Sequence, residues 1–217
     1  MPLTLVIANK AYSSWSLRPW LLMRHFGIGF SEIVIPIAQE TTREKMLRYS
    51  PSAKCPCLQD GAISVWDSLA IIEYLAETFP EHAIWPRDKT ARAQARSLAA
   101  EMHSGFMPLR SHLPMNMRRT PTRLDLPPDV AADVARIEAA FAAARQDFGA
   151  NGPFLFGEFS AVDAMFAPVV SRFHSYSVAV SPVTRAYMDA IMGLPALRQW
   201  QAQADAEPWH VARYDAI

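Results

Sequence analysis

The sequence predicts an α/β domain of order β-α-β-α-β-β-α over residues 1–80, followed by an all-α domain built as a helical bundle. Three observations carry this prediction. Short β-branched runs alternate with helical periodicity only as far as residue 80. An aperiodic stretch with Pro80 and Pro86 then interrupts the pattern. Beyond it, every periodic segment has the helical period.

The elements follow in order. Residues 3–7 are apolar and β-branched, as in a buried strand. A polar loop from Asn9 to Ser13 leads into a helix over 14–26, closed by Gly27. Pro19 falls in the early turns of that helix, where its missing N–H costs little. Residues 31–37 alternate and then saturate with apolar side chains, giving a second strand. Residues 43–49 form a short charged helix. Strands over 57–59 and 62–65 flank Asp60-Gly61, a hairpin signal. A helix over 68–79 puts Leu69, Ile72, Leu75 and Ala76 on one face.

Residues 81–90 are read as a linker. A long helical stretch follows over 90–117, interrupted near Pro108, and the prolines at 114, 121, 127 and 128 make the next break. Residues 129–148 carry Val130, Val134, Ile137 and Phe141 at helical spacing. Ser160 and Asp163 form a capping box that opens an apolar helix over 160–176. Shorter helices follow over 183–192 and 195–206. The expected domains are therefore 1–80 and 91–217, joined by 81–90.

Composition narrows the function. Of 217 residues, 51% are hydrophobic, enough for a sizeable core, and 19% are charged, which leaves room for a subunit interface. Basic and acidic residues balance at 21 each: seven of each sign fall in 1–80 and 14 of each in 81–217. No segment concentrates the cations that a phosphate backbone or an anionic membrane surface demands, which argues against nucleic acid and membrane partners. Residues 1–7 lack a basic leader, and no run of 18 apolar residues exists. Cys55 and Cys57 are one residue apart, a poor disulfide spacing that points to a reducing cytoplasm. Neither they nor the six histidines have metal-ligand spacing, so no metal is expected.

Three local patterns bear on chemistry. Lys54-Cys55-Pro56 precedes a strand. A cis Cys55–Pro56 bond would turn the Cys55 backbone outward to pair with an extended peptide, whereas a trans bond would make Pro56 an ordinary edge-strand proline. Asp67-Ser68 opens the helix over 68–79. It is either a plain N-cap or a site where Ser68 and the helix N-terminus take a ligand carboxylate while Asp67 takes an ammonium. Tyr12-Ser13-Ser14-Trp15-Ser16-Leu17-Arg18 lies at a strand-to-helix turn, where α/β folds collect ligands. A hydroxyl there either caps the helix or stabilises a thiolate. Met102, Phe106, Met107 and Arg110 share a helical face, as core or as an adaptable apolar pocket.

Together these segments resemble the soluble (cytosolic) glutathione S-transferases over essentially the whole chain. Ser13-Ser14-Trp15-Ser16-Leu17-Arg18 resembles the S-S-C-S-x-R motif of the zeta class, the maleylacetoacetate isomerases, with Trp15 in place of the cysteine. Lys54-Cys55-Pro56 resembles the family's cis-proline element, where Val is more usual than Cys. Residues 68–75 are similar to the zeta-class helix, though Asp67 stands where Gln is common. The resemblance implies a thioredoxin-like first domain that binds glutathione as co-substrate. It gives Ser13 the thiolate contact, and Ser14, Lys54, Cys55, Pro56, Asp67 and Ser68 the tripeptide. It makes the cis Cys55–Pro56 bond the favoured form. It also implies a homodimer, and a pocket for a small hydrophobic electrophile that the second domain supplies near Met102, Phe106, Met107 and Arg110, with Tyr12 and Trp15 facing it from the first. The expected function is glutathione transfer in detoxification. The alternatives are glutathione-dependent cis–trans isomerisation, peroxide or thiol reduction, or non-catalytic binding.

Overall fold

The computed structural model describes residues 2–217. Four strands form one sheet: β1 (Leu3–Ile7), β2 (Phe30–Val34), β3 (Cys57–Asp60) and β4 (Ile63–Trp66), in the order β2-β1-β3-β4. β1 pairs parallel to β2 and antiparallel to β3, and β3 pairs antiparallel to β4. Helices α1 (Ser14–His25), α2 (Thr42–Leu47) and α3 (Ser68–Thr78) complete the β-α-β-α-β-β-α order. β2 stops earlier than its apolar run because Pro36 cannot donate to a ladder. The chain stays near the sheet through Ile35 N–H to Ile7 C=O at 2.9 Å. Asp60 pairs with Ile63, so the hairpin turn is Gly61-Ala62, one residue beyond the expected Asp60-Gly61. Gly61 supplies the positive φ (+57°) that the turn needs.

The rest is helical: α4 (Lys89–Ser104), α5 (Met107–His112), α6 (Pro128–Phe148), α7 (Ala161–Ser175), α8 (Pro182–Met192), α9 (Pro195–Asp205) and α10 (Ala212–Asp215), with a 3-10 turn at Gly149–Asn151. The helix expected over 90–117 is two helices. The break falls at Gly105-Phe106, where Phe106 takes φ +59°, and Pro108 lies inside the first turn of α5, where its ring is tolerated. Residues 113–117 are not helical.

α7 is buried along almost its whole length. It packs on both α1 and α4, and so lies between the sheet-bearing part and the remaining helices. α9 also meets α1: Trp200 packs edge-on to Trp20 at 5.0 Å and donates its indole N–H to Lys10 C=O at 2.9 Å. The Glu207 carboxylate accepts the Lys10 and Ala11 N–H groups at 2.7 and 3.1 Å. These contacts fix the loop that follows β1, which is the floor of the candidate site.

Candidate functional site

The loop after β1 turns tightly, with Tyr12 and Ser13 N–H groups both on Asn9 C=O. Ser13 caps α1, its hydroxyl accepting from Ser16 N–H at 3.3 Å and donating to Ser16 Oγ at 2.8 Å. Ser16 Oγ in turn accepts from Ala8 N–H at 3.1 Å. The Cys55–Pro56 bond is cis, and the Cys55 thiol lies against the Ser16 and Ser13 hydroxyls. Burial pushes that thiol up, more than the two hydroxyls bring it down. Pairing in β3 begins at Cys57, so the Cys55 N–H and C=O stand outside the ladder.

Two cavities meet here. The smaller, of about 400 Å³, is lined by Trp15, Ser52, Lys54, Cys55, Pro56, Trp66, Asp67 and Ser68. It gathers the cis-proline segment and the opening of α3. Asp67 takes φ +79° and does two jobs at once. Oδ1 accepts from Leu69 and Ala70 N–H at 2.9 and 3.4 Å, while Oδ2 lies 3.3 Å from His103 Nε2 on α4. It is thus an N-cap and also a carboxylate exposed at the cavity. Ser68 is buried beside it.

The larger cavity, of about 630 Å³, includes Tyr12, Ser13, Ser14, Trp15, Cys55, Met107, Arg110, Arg172, Arg213 and Tyr214 in its lining. Trp15 and Cys55 line both cavities. Of the four helical-face residues, Met107 and Arg110 line the larger one. Met102 and Phe106 do not: both are buried, because the break at Gly105 ends the face they were expected to share. Arg110 is held across that break, donating from Nε to Gly105 C=O at 2.8 Å and from Nη2 to Met102 C=O. Its guanidinium carbon lies 4.9 Å from the Trp15 ring centroid. The Tyr12 hydroxyl is held by two charged side chains. It donates to the Asp215 carboxylate at 2.8 Å and accepts from Arg118 Nη2 at 2.6 Å.

No carboxylate side chain is among the residues lining the larger cavity, although three guanidiniums are. Burial and the neighbouring Arg110 charge bring Arg172 down to about 10. Arg172, Arg213 and Tyr214 were not expected at the site. Arg172 had a signal in the sequence, being a cation inside an otherwise apolar helix. Arg213 and Tyr214 had none, because their place depends on how the C-terminal segment folds back. Among the described residues, no cluster of three or more His, Cys, Asp or Glu has metal-binding geometry, and no helix is long and apolar enough to cross a membrane.

Residues 12–78 match the family model described as glutathione S-transferase, N-terminal domain, and residues 127–201 match its C-terminal domain. The chain is 33% identical over 101 residues to a probable maleylacetoacetate isomerase of Caenorhabditis elegans, covering 46% of each chain. It is 30% identical over 105 residues to a zeta-class glutathione S-transferase of Euphorbia esula, covering 48% of this chain and 47% of that one. The chain thus spans about half the length of the curated relatives it matches. Among solved structures, a glutathione transferase homolog from Burkholderia with bound glutathione superposes with a TM-score of 0.72. That match has 23% identity and covers 95% of this chain and all of that one.

Proposed function

Because the chain belongs to the glutathione S-transferase family, we propose that it is a glutathione transferase that activates the glutathione thiolate for attack on an electrophile. The observation that carries this is the meeting of two cavities at Trp15 and Cys55, with Ser13 in the lining of the larger one. The smaller one, with Lys54, Asp67 and Ser68 in its lining, suits glutathione and the larger one suits the second substrate. The fit rests on groups the tripeptide would need. The Cys55 backbone stands outside the ladder between Lys54 and the cis-linked Pro56, Asp67 and Ser68 open α3, and Ser14 lines the larger cavity that Cys55 shares. We assign glutathione binding to residues 1–80, the linker to 81–90 and the electrophile pocket to 91–217.

Ser13 Oγ is the hydroxyl for the thiolate, its O–H turning from Ser16 Oγ to the sulfur when glutathione binds. The α1 N-terminus adds partial positive charge on the same side. The thiol proton passes to solvent water; the thiolate sulfur then forms the S–C bond as a leaving group departs from that carbon with its electron pair, or as a C=C π pair shifts to the neighbouring carbon and is protonated by water. Ser13→Ala should lower turnover about 10- to 100-fold, the value of one hydrogen bond to a charged group, with little change in glutathione affinity. Turnover equal to wild type, measured alongside thiolate absorbance on glutathione binding, would exclude Ser13.

One observation sharpens the electrophile. A cavity lined by Arg110, Arg172 and Arg213 and by no Asp or Glu side chain favours a substrate that carries a carboxylate over a purely hydrophobic one. This also favours the isomerase alternative, in which glutathione is recycled; turnover without net glutathione loss separates the two. The raised Cys55 thiol argues against a cysteine-based reductase. The free cysteines support a reducing cytoplasm. The exposed Ile63 and Trp66 on edge strand β4 support a homodimer.

A further inference from the structure

Two tyrosines line the larger cavity, Tyr12 and Tyr214. Their ring centroids are 5.6 Å apart, and Tyr12 immediately precedes Ser13. The two hydroxyls differ. Tyr12 gives its proton to the Asp215 carboxylate at 2.8 Å. The Tyr214 oxygen instead accepts from Arg213 Nη2 at 2.8 Å, and among the described residues this is its one hydrogen bond. A guanidinium has no acceptor, so the Tyr214 proton is not spent on that bond.

The backbone fixes the residue that carries this proton. Asn116 Nδ2 donates to Tyr214 C=O at 3.2 Å, and Tyr214 N–H donates to Val211 C=O at 2.8 Å. The Arg213 donation draws electron density from the phenol oxygen and strengthens its O–H as a donor. A phenol is also a better proton donor than the serine hydroxyls in the same lining. Arg110 and Arg172 stand in that lining too, and no Asp or Glu side chain competes for the proton there. Such a site favours an oxygen that is becoming negative.

We propose that Tyr214 is a catalytic residue whose hydroxyl, backed by Arg213, donates a hydrogen bond to the electrophile oxygen that gains negative charge as the sulfur adds. The proposal rests on the transferase reading above and deepens it. Ser13 steadies the charge on sulfur, and Tyr214 steadies it where it arrives. Take a C=C bond conjugated with a carbonyl. The thiolate sulfur bonds to the β-carbon, the C=C pair shifts toward the carbonyl carbon, and the C=O π pair moves onto oxygen, which accepts from Tyr214. The α-carbon then takes a proton from water, matching the one the thiol released, and the C=O bond re-forms. A carbon–chlorine electrophile sends its charge away on chloride and makes no use of Tyr214.

The test is steady-state turnover of the full chain with glutathione and either of two carboxylate-bearing electrophiles. Ethacrynate presents a C=C bond conjugated with a ketone, and 4-(chloromethyl)benzoate presents a benzylic carbon–chlorine bond. Tyr214→Phe keeps the ring and removes only the hydroxyl, and α10 buries no residue, so folding does not depend on the change. The variant should lower kcat for ethacrynate about tenfold or more, yet leave kcat for 4-(chloromethyl)benzoate within about twofold. Calorimetric glutathione affinity and melting temperature should match wild type. A tyrosine that only packs would lower both turnovers alike, and that result overturns the proposal. So does an unchanged kcat for ethacrynate. If ethacrynate alone is turned over, a joint fall in its kcat and in glutathione affinity is the overturning result. Wild type that conjugates the chloride but not ethacrynate overturns the proposal and leaves the transferase reading standing. Catalysed conjugation of neither removes that reading, and this proposal with it.

Discussion

Ser13, Asp67 and Asp163 all carry oxygen atoms at helix starts, and their surroundings give them different work. Asp67 was open to two meanings, cap or ligand carboxylate, and its two oxygens divide between capping α3 and facing the cavity with His103. Ser13 caps α1 while lining the larger cavity. Asp163 is buried and wholly structural, accepting from Ser160 N–H at 2.9 Å and Leu155 N–H at 3.2 Å. Burial pushes its carboxyl up to about 6 from 3.8, against those donors. The folded state therefore holds this proton more tightly than the unfolded chain does. The stability it contributes is full below about pH 3.8 and is lost as pH rises through about 6. Asp163→Asn should lower stability overall by loss of the cap but remove this downward slope, as read by urea unfolding at several pH values. An unchanged slope would mean that another group titrates there.

At the scale of elements, the C-terminal segment has little apolar anchoring. α10 has no buried residue, and Val211 is its nearest buried anchor. Polar contacts hold it instead. Asp215 accepts from the Tyr12 hydroxyl and from Asn116 Nδ2 at 3.0 Å, and Arg118 reaches Glu207 C=O at 2.8 Å and Trp209 C=O at 2.6 Å. Elements with few apolar contacts open most readily. Asp215→Ala should raise amide exchange across 206–217 and raise KM for the electrophile, because Arg213 and Tyr214 wall its cavity. Glutathione affinity should stay the same; exchange like that of wild type would show that Asp215 is not what holds the segment. The α4–α5 break teaches a related lesson. Pro108 was visible in the sequence as a breaker, but a proline in a first turn is compatible with helix. The chain instead breaks at Gly105-Phe106.

At the scale of the whole molecule, the sheet-bearing part and the helices share one buried core through α1, α7 and α9. Trp200 is fully buried there against Trp20. Trp200→Ala should cost about 3–5 kcal/mol in chemical denaturation, the usual cost of deleting a large buried aromatic; a loss below about 1 kcal/mol would mean that the interface does not depend on it. The sequence by itself determined the element order, the helix after Asp67 and the two halves of the smaller cavity. Local periodicity, turn chemistry and capping are properties of neighbouring residues, so they are legible without a fold. The tertiary structure alone decided that Arg172 and Arg213 charge the larger cavity and that Met102 stays in the core. It alone decided that Arg18 is buried against Ser68, 3.5 Å from its hydroxyl. Those facts depend on which way side chains point from elements distant in sequence, and no local pattern encodes that direction.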